Sequence, residues 1–225
     1  WYFTSFDSEF SRGVLRFAGI DTVADVIVNG KIIGKADNMF IPHEYEADDL
    51  KPTGNELVVH IYPSAIEARK RYVPAMASAL KYAYPSLGLR RSAAFYGWDI
   101  FPRMACGGII RGVFLTEYKP EKLVEYYLYA AKANEDFAEI NLYYNFTATA
   151  PDLTDYKITV SAKCGDCEFG YECVPWHNME TTRFRVEKPK LWYPRGYGEA
   201  NIYETTIRLY KNDTVIDEKQ LGFGI

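Results

Sequence analysis

The residues best suited to chemistry lie in one short segment, Phe95-Tyr96-Gly97-Trp98-Asp99-Ile100-Phe101-Pro102-Arg103. A sugar presents axial C–H groups to an aromatic face and pairs of hydroxyls to a carboxylate, so adjacent Trp98 and Asp99 satisfy both needs. The nearby glycine and proline restrict the loop, which lowers the ordering entropy lost on binding. Arg103 is placed to orient the Asp99 carboxylate or to clamp an anionic group. Trp98, Asp99 and Arg103 are therefore the candidate carbohydrate-binding residues of this chain.

A structural interpretation of the same segment stays open. In that interpretation Trp98 fills the interior of a β-sandwich, and Asp99 accepts hydrogen bonds from turn amides. Spacing alone favours it, because an aromatic residue in a strand-rich chain is most often a packing residue. Burial of Trp98 and Asp99 inside their own domain would exclude the binding role.

A second aromatic segment is Lys190-Leu191-Trp192-Tyr193-Pro194-Arg195-Gly196-Tyr197-Gly198. Aromatic, proline and glycine residues crowded in this way predict a rigid, ordered loop. Such a loop can line a pocket or pack against another domain. The pattern favours the simpler interpretation, a well-packed loop between strands.

No catalytic residue is indicated by the sequence. Cleavage of a glycosidic bond with retention needs two carboxyl groups about 5 to 5.5 Å apart. The acidic pairs Asp48-Asp49 and Glu135-Asp136 are typical of solvated turns instead. The histidines are isolated from any nucleophile motif: His43, His60 and His177. No phosphate-binding glycine loop is present either, and we expect no cofactor.

The cysteines are Cys106, Cys164, Cys167 and Cys173. The spacing Cys164-x2-Cys167 is typical of half a zinc site, but a second pair of ligands at suitable spacing is missing. Recruitment of Cys173 and His177 is disfavoured, because the residues between them and the first pair resemble a hairpin. We therefore expect no metal, and either free thiols or one disulfide across the Gly165-Asp166 turn.

Charge and hydropathy exclude two kinds of partner. The net charge is −4, so the chain lacks the basic character of nucleic-acid-binding proteins. No apolar run approaches the length of a membrane span, so we expect no membrane partner. The chain opens at Trp1 without a secretion signal, and we interpret it as a processed product or an engineered fragment. The compartment stays open, with a secreted or periplasmic location favoured.

Alternation of apolar and polar residues with a period of two predicts half-buried antiparallel strands along most of the chain. Clear examples lie in residues 140–148, 156–163 and 181–186. Asn29-Gly30 and Asn212-Asp213 each separate two apolar runs, which predicts tight hairpins with positive φ at both turn positions. The predicted fold class is therefore all-β.

One region, residues 64–108, breaks the alternation and predicts a short helical and irregular excursion. Ser64-Ala65-Ile66-Glu67 matches a capping box that opens a helix over 64–73, before Pro74 interrupts it. Another turn or two is predicted over 76–84, and no clean period follows. Long irregular connections in compact domains often carry function.

A domain boundary is predicted near Tyr118-Lys119-Pro120-Glu121, after a strand over 109–117. It gives a first domain over 1–119 and a second over 120–225. Each has the ordinary size of a β-sandwich.

Several motifs are similar to those of a known family. Residues 15–30, 38–45 and 55–59 resemble the galactose-binding-like jelly-roll domain of family 2 glycoside hydrolases. Leu191-Trp192-Tyr193-Pro194 resembles the late part of that family's immunoglobulin-like second domain, and Gly222-Phe223-Gly224-Ile225 resembles the junction into its catalytic barrel. Tyr96-Gly97-Trp98-Asp99 is similar to a loop of the β-mannosidase branch, although that branch usually continues with Trp-Gly-Pro.

The resemblance implies a fold and an activity. It implies a jelly-roll domain followed by an immunoglobulin-like domain, with the Gly97-Trp98-Asp99 loop reaching toward a terminal sugar. In the family the two catalytic glutamates belong to a C-terminal barrel outside these residues. We therefore predict a non-catalytic N-terminal fragment of a retaining exo-glycosidase that hydrolyses terminal β-linked sugars, β-mannosides being expected. The fragment would meet its carbohydrate substrate only together with the barrel.

Two other functions stay open for the chain. It can be a stand-alone carbohydrate-binding module, in which case it binds saccharide by itself. It can also be a structural tandem β-sandwich that mediates protein interactions.

Overall fold

The structure is a computed structural model that describes residues 1–80 and 83–225. The chain divides into two compact units, Trp1–Tyr118 and Lys119–Ile225. About 51% of the residues lie in strands and very few in helices, which confirms the predicted all-β fold class. Within the described ranges, no helix combines the length and the apolar character that crossing a membrane requires.

The first unit is the predicted jelly-roll sandwich. Its strands, in chain order, are β1 (Tyr2–Phe6), β2 (Gly13–Phe17), β3 (Ile20–Asp21), β4 (Ala24–Val28), β5 (Lys31–Ala36), β6 (His43–Ala47), β7 (Asn55–Ile61), β8 (Gly108–Ile109) and β9 (Val113–Glu117). A four-stranded sheet has the order β1-β7-β4-β5, and a three-stranded sheet has the order β6-β2-β9, while β3 pairs with β8. All pairs are antiparallel. Inward-facing apolar side chains of these sheets form one core, including Phe17, Ile20, Val26 and Val59.

The excursion between β7 and β8 contains one short helix, α1 (Ser64–Arg69). The predicted capping box is wrong, because no side chain caps this helix and the Ser64 hydroxyl instead accepts a hydrogen bond from Arg91 Nη1 at 3.0 Å. The predicted helix over 64–73 is also too long. The Lys70 amide donates to the Glu67 carbonyl, and this tighter i→i+3 bond closes the last turn.

The described remainder of the excursion contains short turns and irregular segments. The Ala77 and Ala83 amides donate to the Pro74 and Leu80 carbonyls, as expected for the turns predicted over 76–84, of which residues 81 and 82 lie outside the described residues. Two short 3₁₀ turns follow, at Tyr84–Leu87 and Ala93–Tyr96.

The second unit is an immunoglobulin-like sandwich of two antiparallel sheets. Its strands, in chain order, are β10 (Leu123–Ala133), β11 (Phe137–Phe146), β12 (Tyr156–Cys164), β13 (Cys167–Cys173), β14 (Met179–Glu187), β15 (Tyr203–Lys211) and β16 (Thr214–Phe223). The sheet orders are β10-β11-β14 and β13-β12-β15-β16. The alternation predicted over 140–148 and 156–163 is confirmed, since Ile140, Leu142, Ile158 and Val160 point into the core.

Both hairpins predicted from turn residues are confirmed. Asn29 and Gly30 join β4 to β5 with φ values of 49° and 79°, and Asn212 and Asp213 join β15 to β16 with φ values of 48° and 60°. Positive φ at both positions matches the twist of the flanking strands, which is why Asn, Asp and Gly are selected there.

Candidate substrate-binding loop

The base of the irregular excursion is fixed by a buried ion pair. Arg91 Nε lies 2.7 Å from Asp21 Oδ1, and Arg91 Nη2 lies 2.9 Å from Asp21 Oδ2. The exposed fractions of the two side chains are 0% and 3%. This two-point geometry is the strong form of an arginine–carboxylate contact, and burial shields it from water and salt.

The same guanidinium joins other parts of the excursion to this base. Arg91 Nη1 donates to Ser64 Oγ at the start of α1, and Nη2 also donates to the carbonyl oxygen of Cys106. The Arg91 guanidinium carbon lies 4.7 Å from the centre of the Phe95 ring, within the range of a cation–π contact. One side chain therefore connects β3, α1 and both ends of residues 95–106.

A glycine reverses the chain just above this base. Tyr96, at the end of the second 3₁₀ turn, is fully buried. Gly97 then adopts φ 114° and ψ 137°, a backbone region that is populated almost only by glycine. After this reversal the side chain of Trp98 is 69% exposed. Gly97 therefore separates an inward-facing tyrosine from an outward-facing tryptophan.

The tip of the loop is a tight turn held by the backbone. The Trp98 amide donates to the Phe101 carbonyl at 3.0 Å, and the Phe101 amide donates to the Trp98 carbonyl at 3.1 Å. Asp99 and Ile100 occupy the two turn positions, and Ile100 is 94% exposed. The Phe101 ring lies edge-on to Phe95, with 6.3 Å between ring centres, which connects the tip to its base.

The structure places the three predicted site residues on the surface. Trp98 and Asp99 are exposed and do not fill the sandwich, so the core-packing interpretation of this segment is wrong. Arg103 is also exposed. In the part of the chain that the structure describes, no ion pair or hydrogen bond joins Arg103 to Asp99, so Arg103 is not seen to orient that carboxylate. The carbohydrate-binding role of these residues stays a prediction.

The side chains exposed on this loop are suited to binding a sugar. An exposed indole offers an apolar face, and the adjacent carboxylate can accept two hydrogen bonds from neighbouring hydroxyls. Asp99 is the one carboxylate between Tyr96 and Arg103, whereas glycosidic cleavage with retention requires a pair at close range. The loop therefore suits binding and not bond cleavage.

The second aromatic segment is bound to its own sandwich. The Trp192 amide donates to the Ile225 carbonyl at 2.7 Å, and Asn201 Nδ2 donates to the Leu191 carbonyl at 2.8 Å. The Lys190 amide donates to the hydroxyl of buried Tyr203 at 2.7 Å. The segment is thus a loop between β14 and β15 that is hydrogen-bonded to its own sandwich near both ends, but residues 192–200 are all exposed, so the expectation of a well-packed loop is wrong for its middle part.

Sequence reasoning missed the Arg91–Asp21 pair. The two residues lie 70 positions apart, so no local spacing connects them. One signal was present: Asp21 follows Ile20 between the apolar strands over residues 13–17 and 24–28, and a carboxylate buried in such a position needs a partner.

The four cysteines are free thiols in the structure. Within residues 1–80 and 83–225, no three or more His, Cys, Asp or Glu side chains come together as metal ligands.

Family models match almost all of the chain. The model described as "Glycosyl hydrolase 2 galactose-binding domain-like" matches residues 1–111. The model described as "Glycosyl hydrolases family 2" matches residues 133–225. The two matches fall on the two sandwiches in the order predicted from the sequence.

Curated relatives include β-mannosidases of fungi. Beta-mannosidase B of Thermothelomyces thermophilus is 29% identical over 224 residues, which cover 96% of this chain and 26% of that protein. Beta-mannosidase B of Emericella nidulans is 27% identical over 227 residues, which cover 94% of this chain and 26% of that protein. The chain thus spans about a quarter of the length of the curated relatives that it matches.

Solved structures extend the likeness to the backbone. The β-D-mannosidase from Dictyoglomus thermophilum superposes with a TM-score of 0.78 and 28% identity, over 100% of this chain and 29% of that one. A β-glucuronidase from Bifidobacterium dentium has a TM-score of 0.68 and 20% identity over 100% of this chain and 39% of that one, which shows the shared fold alone. The chain belongs to family 2 of the glycosyl hydrolases and contains two of that family's N-terminal domains, a galactose-binding-like jelly roll and an immunoglobulin-like sandwich.

Proposed function

We propose that this chain is the non-catalytic N-terminal part of a retaining exo-glycosidase that hydrolyses terminal β-linked sugars, with β-mannosides as the substrate class. The observation that carries the proposal is the likeness to β-mannosidases over 94% or more of the chain, at 27–29% identity. The exposed Trp98-Asp99 tip agrees with it, because a loop that contacts substrate must project from its own domain.

The proposed division of labour follows from the chemistry of retention. One carboxylate attacks the anomeric carbon and another acts first as acid and then as base, with about 5 to 5.5 Å between them. We assign both to a barrel domain of the complete protein. In this scheme Asp99 accepts hydrogen bonds from hydroxyls of the terminal sugar, and Trp98 covers its C–H face.

The rigid base gives this loop an energetic advantage. Arg91 holds both ends of residues 95–106, so little backbone entropy remains to be lost when a sugar binds. A fixed contact that strengthens as the ring distorts toward the transition state would raise kcat as well as lower KM.

The test uses the complete protein encoded by the natural gene. We expect kcat/KM on nitrophenyl β-mannoside to exceed that on the galactoside and the glucuronide. Asp99→Ala should lower kcat/KM on the preferred substrate by roughly 10- to 1,000-fold, the cost of a lost charged hydrogen-bond acceptor. Asp136→Ala, an exposed aspartate in a turn of the second sandwich, is the matched control and should have no effect.

Other outcomes would refute specific parts of the proposal. A preference for glucuronide or galactoside would remove the mannoside assignment and leave the loop assignment intact. Unchanged turnover in Asp99→Ala would remove the loop from the substrate site. Nitrophenol release by residues 1–225 alone would contradict the non-catalytic role.

A stand-alone carbohydrate-binding module is the second candidate, favoured by the 69% exposure of Trp98 on this chain. Calorimetric titration of residues 1–225 with mannobiose distinguishes the two. The lead proposal expects no measurable binding, because the loop supplies only one wall of a site. Saccharide binding that is lost in Trp98→Ala and kept in Trp176→Ala, a control with an 85% exposed indole, would favour the module.

A further inference from the structure

Two cysteines face each other at the end of one hairpin. Cys164 is the last residue of β12, Cys167 is the first of β13, and the antiparallel register places them directly opposite each other. Gly165 and Asp166 form the turn, with Gly165 at a φ of 62°. Directly opposed residues project from the same face of a sheet, so both thiols lie on one side of this hairpin.

Their surroundings support this common orientation. Cys167 Sγ lies 3.3 Å from the hydroxyl of Tyr203, and Cys164 Sγ lies 3.9 Å from Oδ1 of Asn201, two positions earlier in the chain. Both thiols therefore border the same short stretch of chain. Each is partly exposed, so a small reagent in solution can reach it.

The spacing suits a disulfide. Directly opposed residues of an antiparallel pair have Cα atoms roughly 4.5 to 5.5 Å apart. Disulfides join residues whose Cα atoms are about 4.4 to 6.8 Å apart. Closing a bond between Cys164 and Cys167 therefore requires side-chain rotation and no rearrangement of the strands.

A fixed cation lies over the turn between the two thiols. Lys190 Nζ forms an ion pair with Asp166, and a Cβ built on Gly165 would lie 3.1 Å from that nitrogen. The hydrogen bond to Asp166 raises the pKa of Lys190, and the charges of Cys164 and Cys167 add to this rise. Cysteine attacks a disulfide as the thiolate, so a cation at this position can affect the rate of that attack.

The other two cysteines lack this arrangement. Cys173 is opposite Ile158 at the far end of β13, and burial raises the pKa of its thiol to about 11. Cys106 is exposed in the returning segment of the first sandwich. The chain thus contains one partly exposed thiol with a raised pKa, Cys173, and one exposed thiol, Cys106, as internal controls for a paired site.

The geometry points to Cys164 and Cys167 as a paired-thiol modification site, which a low-molecular-weight disulfide converts into an internal disulfide across the Gly165-Asp166 turn. One thiolate attacks a sulfur of the reagent RSSR and releases RS⁻, which leaves as RSH with the proton of the first cysteine. The second thiolate attacks the mixed disulfide and displaces a second RSH. The cysteines lose two electrons and two protons, and the reagent gains them.

The first test maps the products on residues 1–225 treated with oxidised glutathione. Peptide mass mapping without reduction should find the 164–167 bond and no glutathione on either cysteine. Cys106 should carry glutathione, and Cys173 should stay unmodified. Glutathione retained on both hairpin cysteines, or two free thiols there after Cys106 has reacted, would overturn the proposal.

Single substitutions separate the two chemical steps. In Cys164→Ser the first step remains and the second is impossible, so Cys167 should accumulate a stable glutathione adduct. Cys173→Ser should form the 164–167 bond as the unsubstituted chain does. An equal, small yield of adduct on Cys167 with and without Cys164 would show that the thiols do not act as a pair.

Lys190 tests the electrostatic part. Lys190→Gln should slow formation of the internal bond roughly 3- to 10-fold at low salt, with a smaller difference at 1 M salt, and Lys190→Arg should restore the rate. Equal rates in Lys190→Gln and the unsubstituted chain would remove Lys190 from the site. A thermal melt of each variant checks that the second sandwich stays folded.

A probe of proximity needs no substitution. Phenylarsine oxide binds two thiols through one arsenic atom, and we expect one equivalent per chain that blocks the internal bond. Failure to bind, or binding that leaves the oxidation by glutathione unchanged, would contradict the paired geometry.

Discussion

The two aromatic loops of this chain have similar compositions but are attached to their domains at different places. The loop at Trp98 is held strongly at its base by Arg91 and only by its own backbone at the tip. The loop at Trp192 is hydrogen-bonded to its own sandwich near its two ends, through Lys190, Trp192 and Asn201. The two tryptophans differ in exposure, at 69% for Trp98 and 45% for Trp192, although Tyr197 in the middle of the second loop is 82% exposed.

This contrast shows what composition can and cannot indicate. Tryptophan, tyrosine, glycine and proline in one segment predict an ordered loop in both cases. Whether the loop serves its own domain or projects from it depends on the position of its anchors. In the first loop the anchor is the Arg91–Asp21 pair, which lies below the aromatic tip. In the second loop the backbone amide of the aromatic residue Trp192 is itself hydrogen-bonded to the sandwich.

The largest expected effect is the loss of the buried anchor of the first loop. Arg91→Ala should lower the free energy of unfolding of the first sandwich by about 3–5 kcal/mol, because the buried Asp21 carboxylate loses its cation and keeps only the Thr22 hydroxyl as a side-chain partner. Urea denaturation of residues 1–225 measures it. Arg71→Ala, which removes an exposed ion pair with Asp37, is the control and should cost less than about 1 kcal/mol. A similar loss of unfolding free energy in both variants would mean that the buried Arg91–Asp21 pair contributes no more to stability than an exposed ion pair.

Backbone strain at the reversal should be the next effect. Gly97→Ala places a Cβ on a residue with φ 114°, so we expect a loss of about 1–3 kcal/mol in the free energy of unfolding. Gly54→Ala is the matched control for a glycine in the left-handed region, with φ 70° and open space around it, and should cost about 1 kcal/mol. An unchanged free energy of unfolding in Gly97→Ala would indicate that the loop relaxes to another conformation. In that case the outward orientation of Trp98 would not depend on Gly97.

The anchor of the second loop should matter less. Tyr203→Phe removes the acceptor of the Lys190 amide and the neighbour of Cys167, and we expect a loss of about 1–2 kcal/mol. Tyr197→Phe, at a tyrosine that is 82% exposed in the same loop, should leave thermal unfolding unchanged. If the two variants melted at the same temperature, the claim that the second loop depends on its sandwich would fail.

The smallest effect on stability should come from the exposed tip of the first loop. Trp98→Ala should change the free energy of unfolding by less than about 0.5 kcal/mol, because its side chain makes little buried contact. A loss above about 1.5 kcal/mol would show that Trp98 is a packing residue after all. Thermal melts next to Trp176→Ala, the exposed indole of the second sandwich, give the comparison.

Local patterns of the sequence predicted the parts of this fold that local forces determine. The hairpins at Asn29-Gly30 and Asn212-Asp213 were predictable because few residues tolerate positive φ at two consecutive positions. The strands over residues 140–148 and 156–163 were predictable because apolar side chains alternate there and point into the core.

Long-range contacts explain what could not be predicted. The capping box at Ser64 failed because Pro63 occupies the N-cap position, and the Ser64 hydroxyl, already inside the helix, accepts a hydrogen bond from Arg91, 27 residues away. The exposure of Trp98 depends on Gly97 and on the Arg91–Asp21 pair below it, and periodicity carries no information on either. The family resemblance supplied the direction of the loop, and the residues alone favoured the opposite interpretation.

The backbone pairing between Trp98 and Phe101 has a consequence for how this protein's relatives diverge. Because main-chain groups alone close the turn, the side chains of Asp99 and Ile100 are free to be replaced without loss of the loop's shape. Natural selection can therefore exchange these two amino acids through single-codon changes while the framework stays intact. Homologous enzymes that differ in substrate preference would then be expected to differ first in the amino acids at these two positions.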